Sequence, residues 1–139
     1  MADNSNSFSR KILPLVELKK KLEEKDEDKS VVLCHGVFDL MHIGHIKYLE
    51  DAKKYGDILV VTITPDQHVN KGPNRPVFSQ NLRAEALAAL QSVDFVAINE
   101  WPTAIETINL LAPNFYVKGP DYKNLFEDIS GNILLEKNA

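Results

Sequence analysis

The stretch VVLCHGVFDLMHIGHIKYLEDAKKYGDILVV, residues 31–61, decides the fold. It opens on a β-branched apolar run, Val31 to Cys34, and leaves it through His35 and Gly36. An amphipathic stretch from about Ile43 to Tyr55 follows, closed by Gly56, and a second apolar run, Ile58 to Thr64, comes after it. Strands that read as continuous apolar runs are buried on both faces, as parallel strands are. The stretch is therefore a βαβ unit with a right-handed crossover.

The same cadence continues outward. Phe95 to Ile98 and Phe115 to Val117 are two further short apolar runs. Between them, one helix is capped by Ser79 and sets Leu82, Ala86, Ala89, Leu90 and Val93 on one stripe; another opens at WPTAIETINLL with Pro102 in its first turn. Upstream, Pro14 suits the first turn of a lead helix whose Leu15, Leu18 and Leu22 share a face, with KKKLEEKDEDK as the solvated remainder. Residues 1–10 are Asn- and Ser-rich and are expected to fray. The expected organisation is a tail and lead helix over residues 1–29 and one α/β domain over 30–139. Its architecture is a Rossmann-like, doubly wound parallel sheet. Such sheets bind ligands beyond the carboxyl ends of the strands, where the strand order reverses.

Composition excludes several classes. A chain of 139 residues, 44% hydrophobic and 26% charged, has room for one packed domain. Sixteen Lys and Arg against twenty Asp and Glu give a net charge of −4, without the basic excess that phosphate-backbone binding demands, so no nucleic-acid partner is expected. No apolar stretch is long enough to span a bilayer. Cys34 is the only cysteine and lies in an apolar run, which points to a reducing, cytoplasmic setting.

His42 and His45 stand in the first turn of a helix that directly follows a strand, at the ligand-binding edge of the sheet. Free N–H groups and the helix dipole favour an anion there, and residues three apart share a face, so both imidazoles can address one phosphate. Nucleotidyl transfer needs such donors, because charge builds on the α-phosphate oxygens and on the departing pyrophosphate. Gly44, without a Cβ, allows close approach to the backbone. The competing readings are ordinary capping by the two histidines and a zinc site with Cys34 and His35. The zinc site is disfavoured because Cys34 sits within a strand and lacks a C-x-x-C partner. Asp39 can bind magnesium or cap the helix, and capping is the more economical role. Lys71 and Arg75 bracket a Gly- and Pro-punctuated loop, a candidate lid over phosphates, although each alone reads as a solvated charge. Arg83 falls on the polar side of its helix, and Trp101 reads as a boundary residue packed on the core.

The ordered set HGVFDLMHIGHIKYLEDAKKYGDILVVTITPD, KGPNRPVF, LRAEALAALQSVDFVAI, TAIETINLLAP and VKGPDY resembles the cytidylyltransferase-like nucleotidyltransferases. The likeness covers about Val31 to Tyr122. The letters His42-Ile43-Gly44-His45 are shared with class I aminoacyl-tRNA synthetases. That alternative needs a lysine-rich downstream loop and an RNA-binding surface, and the sequence has neither. Within the family, RPV and VKGPDY look closest to heptose-phosphate adenylyltransferases. The resemblance implies that His42, His45 and Lys71 act in catalysis, and that Gly36, Val37, Phe38, Asp39, Gly44, Arg75, Arg83, Asp94, Lys118, Gly119 and Asp121 contact the nucleotide. It implies ATP or CTP with Mg2+ and a sugar or polyol phosphate as acceptor, with no metal held by the protein itself. A nucleotide-binding regulatory or oligomerisation module without turnover is the alternative. Family members continue into a further strand and a Ser/Thr-rich turn, whereas this sequence stops at SGNILLEKNA. The expectation is a domain lacking its last strand, clipped from a longer protein with a sugar-kinase domain, and pairing as a homodimer.

Overall fold

The computed structural model describes residues 8–119. Its elements are α1 (Leu15–Glu23), β1 (Val31–Gly36), α2 (Ile43–Lys53), β2 (Ile58–Ile63), a 3-10 turn at Asp66–His68, α3 (Gln80–Ala88), β3 (Phe95–Ile98), α4 (Ile105–Leu111) and β4 (Phe115–Tyr116). The four strands form one sheet in the order β3-β2-β1-β4, all pairs parallel. The chain winds outward from β1 to β3 and then returns to the far side of β1. Strand order therefore reverses between β1 and β4.

The period-two alternation of the strands separates two apolar layers. Val32, Cys34, Leu59, Val61 and Ile63 face one side with Leu49 and Ala52 of α2 and Ala84, Leu87 and Ala88 of α3. Val31, Leu33 and Val60 face the other with Leu15, Leu18 and Leu22 of α1 and Leu111 of α4. Helices on both faces make the sheet doubly wound, the Rossmann-like arrangement expected. Leu18 is fully buried, so Leu18→Ala costs about 2–5 kcal/mol.

Some local expectations are corrected. The buried stripe of α3 is Arg83, Ala84, Leu87 and Ala88, while Leu82 is 53% exposed and Ala86 and Ala89 are also exposed. In LRAEALAAL two stripes are apolar, so periodicity cannot choose between them, and docking on the sheet does. The helix α2 ends at Lys53 rather than Tyr55, and Pro102 precedes α4 instead of lying in its first turn. Residues 8–10 belong to a 3-10 turn, with Phe8 packed on the core. Beyond them, Ile12 bridges Val96 and the Leu13 N–H donates to the Val96 carbonyl, which covers the outer edge of β3. Asp121 and the expected missing last strand concern residues outside the described ones. Among the described residues no helix is long and apolar enough to cross a membrane.

Candidate active site

A cavity of about 510 Å3 opens where the strand order reverses, beyond the carboxyl ends of β1 and β4. It is walled by the β1–α2 connection, the first turns of α2, the loop after β2, and Tyr116, Lys118 and Gly119 at the exit of β4. Gly36 begins that connection. A Cβ there would meet the Phe38 ring at 3.0 Å, and Phe38 itself holds a left-handed φ of 51°. This tight reversal lets the chain turn from strand to helix within six residues, Val37 to His42.

The two histidines cap α2 reciprocally. The Gly44 N–H donates to His42 Nδ1 at 3.0 Å, and the His42 N–H donates to His45 Nδ1 at 3.1 Å. This is a capping box built from imidazoles, so the capping role weighed above is real and is compatible with a ligand role. A ring nitrogen that accepts a hydrogen bond carries no proton, so each neutral ring bears its proton on Nε2. The ring centroids lie 4.3 Å apart, and the Phe38 ring meets His45 edge-on at 5.8 Å. Burial, then His42, then Lys71, push the His45 pKa below its ordinary value.

Asp39 is buried, and its carboxylate accepts from Arg75 Nε at 2.8 Å, the Val77 N–H at 2.7 Å and the Phe78 N–H at 2.9 Å. Burial pushes its pKa up, but the two backbone donors and the guanidinium outweigh that and hold it at about 2. Asp39 therefore does not cap α2, which is the correction to that expectation; it staples the loop 75–78 to the β1–α2 connection. Arg75 is accordingly part of the wall, and only Lys71 stands on an exposed stretch of the loop.

Arg83 is corrected too. It is 1% exposed, and it donates to the carbonyls of Phe78 (3.0 Å), Val37 (2.9 Å) and Thr64 (2.8 Å) and to Asp66 Oδ1 (2.6 Å). Its guanidinium knits three loops beneath the cavity and is not among the groups lining it. Asp94 lies at the amino end of β3, on the opposite rim of the sheet, where it accepts from the Leu59 N–H at 2.7 Å and pairs with Lys53. A residue there cannot reach a ligand at the carboxyl rim.

Of the residues singled out above, the cavity brings together Gly36, Val37, Phe38, Asp39, His42, Gly44, His45, Lys71, Arg75, Lys118 and Gly119. It adds His35, Leu40, Tyr48 and Tyr116. His35 bridges Thr62 Oγ1 (2.9 Å) and Thr64 Oγ1 (3.4 Å), and burial lowers its pKa to about 4, so it is neutral near pH 7. The strand register pairing His35 with Thr62 was the signal that could have found it. Among the lining side chains, Asp39 supplies the acid, neutralised by Arg75, and Lys71 and Lys118 add positive charge in a chain whose net charge is −4. Such a cavity concentrates a polyanion. Among the described residues no group of three or more His, Cys, Asp or Glu is placed to hold a metal ion. Burial raises the Cys34 thiol to about 12, against a lowering hydrogen bond from Tyr48, so it is no thiolate ligand.

The chain was also compared with known proteins. A family model described as cytidylyltransferase-like matches residues 33–138. A bifunctional protein HldE of Campylobacter jejuni subsp. doylei is 44% identical over 132 residues, covering 88% of this chain and 28% of that protein. The bifunctional protein HldE of Aliarcobacter butzleri is 40% identical over 139 residues, covering 96% of this chain and 29% of its own length. A crystal structure of the lipopolysaccharide core biosynthesis protein from Thermoplasma volcanium GSS1 superposes with a TM-score of 0.63 at 30% identity, covering 77% of this chain and 88% of that one.

Proposed function

Because the chain belongs to the cytidylyltransferase-like family, we propose that it is a nucleotidyltransferase that moves an NMP group from a nucleoside triphosphate to a sugar phosphate. ATP is the preferred donor in this reading. Its support is the resemblance of Arg75-Pro76-Val77 and of the segment from Val117 to heptose-phosphate adenylyltransferases, together with the lipopolysaccharide role named for the Thermoplasma structure. The chain spans less than a third of the relatives it matches, so the remainder of such a protein, here a sugar kinase, is part of the proposal, as are a cytoplasmic setting and a homodimer that light scattering would detect.

The observation that carries the reading is the imidazole capping box at the mouth of a cationic cavity. A phosphate oxygen of the acceptor, already ionised, attacks the α-phosphorus. A P–O bond forms as the bond to the β-phosphate breaks, and pyrophosphate leaves without a side-chain base. The Nε2–H donors of His42 and His45 stabilise the charge that develops on the α-phosphate, more in the transition state than in the ground state. Lys71 and Arg75 address the β- and γ-phosphates, and Lys118 with Gly119 borders the nucleoside. Among the described residues no acidic cage faces the cavity, both Asp39 oxygens being engaged, and in this reading magnesium enters with the triphosphate as part of the substrate.

Calorimetry with ATP and CTP beside a pyrophosphate-release assay tests the reading. ATP binding with release that depends on added sugar phosphate supports it. Binding without turnover would favour the regulatory module, and no binding of either nucleotide would overturn both.

A further inference from the structure

The exit of β4 is lightly held. That strand is two residues long, pairs Phe115 and Tyr116 with Val32 and Leu33, and adds one bond from the Val117 N–H to the Leu33 carbonyl at 2.9 Å. Lys118 and Gly119 follow immediately and border the cavity. The next tie along the chain comes from α2. Tyr48 donates its hydroxyl to the Val117 carbonyl at 2.5 Å, and a Cβ at Gly119 would lie 3.7 Å from its ring. Tyr48 also sits three residues after His45, on the same face of α2 one turn on. One phenol thus ties α2 to the exit of β4 across the point where strand order reverses.

We propose that Tyr48 is a positioning residue that sets the separation between the histidine turn of α2 and the Lys118–Gly119 arm, and so governs nucleotide affinity. This rests on the reading of the cavity as a nucleotide site. Its ring supplies packing, which any aromatic would give, but its hydroxyl supplies the tether, which phenylalanine lacks. A nucleoside held between the arm and the helix needs both walls at a defined distance. The reacting phosphate is addressed by the histidines alone, whose cap does not involve Tyr48. Loss of the tether therefore falls on binding rather than on the chemical step.

The test is Tyr48→Phe in the full chain. The expected result is a Kd and KM for ATP raised about five- to tenfold, the cost of one lost hydrogen bond, with kcat within about twofold of wild type. Hydrogen exchange at the Lys118 and Gly119 amides should quicken while the α2 amides keep their protection. Wild-type exchange at those amides, a kcat that falls with KM unchanged, or a variant that does not fold would each overturn the proposal. If the wild-type protein binds no nucleotide, the functional reading fails, and the exchange measurement still decides whether the tether exists.

Discussion

Replacing Arg83 by methionine separates a scaffold role from a ligand role. Methionine keeps much of the apolar stem and removes every donor. Three backbone carbonyls, those of Val37, Thr64 and Phe78, lose an ionic hydrogen bond; the buried Thr64 acceptor left unpaired costs about 1–3 kcal/mol, and the part-buried Val37 and Phe78 acceptors, which water can reach, cost less. The Asp66 partner is 44% exposed, so water replaces most of that bond and its share is about 0.2–1 kcal/mol. These losses are not additive, because the loops relax together, and removal of one member of a buried charged network costs about 3–5 kcal/mol as a whole. For a chain of this size that lowers Tm by roughly 10–15 °C. Thermal melts followed by circular dichroism, paired with ATP calorimetry below the transition, give the answer. A variant that melts within about 2 °C of wild type while losing ATP would show that the guanidinium serves the ligand and refute the assignment.

Other outcomes follow from the same geometry. His45→Ala should lower kcat by about 2.7–4 kcal/mol in barrier terms, read in single-turnover assays, and near-normal turnover would count against the transition-state role. Lys71→Ala should weaken ATP more than AMP, whereas Arg75→Ala should weaken both and also lower Tm, because Arg75 is stapled to Asp39; equal losses for ATP and AMP in Lys71→Ala would remove the phosphate assignment. The His35 pKa of about 4 lies below its ordinary 6.5, so the unfolded chain binds the proton first. Stability is then complete above pH 6.5 and is lost as pH falls from there toward 4, a slope that His35→Asn should flatten in Tm measured against pH.

The strands and their parallel order were legible because a strand buried on both faces leaves an unbroken apolar run, as in Val31 to Cys34 and Ile58 to Ile63. The position of the site was legible because a Gly-led turn and two histidines follow the first strand. Side-chain partners were not. Arg83 looks like any surface arginine in sequence, since what buries it are carbonyls 46, 19 and 5 residues away. Asp39 is adjacent to a helix start and reads as its cap, yet its acceptors are filled from 36 to 39 residues downstream. Asp94 shares a motif with the site residues but lies at the wrong end of its strand, a distinction that only the direction of β3 supplies. Tyr48 was overlooked because an aromatic on an amphipathic helix is most often core.

The four imidazole nitrogens divide two tasks that a helix N-terminus usually assigns to different residues. Nδ1 of each ring satisfies a backbone N–H that the first turn would leave orphaned, and this locks the proton onto Nε2, where an anion can use it. A doubly protonated ring could not do both, because Nδ1–H cannot accept. Positive charge therefore has to come from elsewhere, and Lys71 and Lys118 supply it around the same cavity, beyond the Arg75 that pairs with Asp39. Burial, His42 and Lys71 lower the His45 pKa, so the cap is present above that lowered value and is lost as pH falls through it. His45 then works as a neutral donor above its lowered pKa, and transfer should hold steady as pH rises from 7 to 8 in single-turnover assays. A rate that falls over that interval would mean that imidazolium is the working form, and that the capping box opens before the chemistry begins.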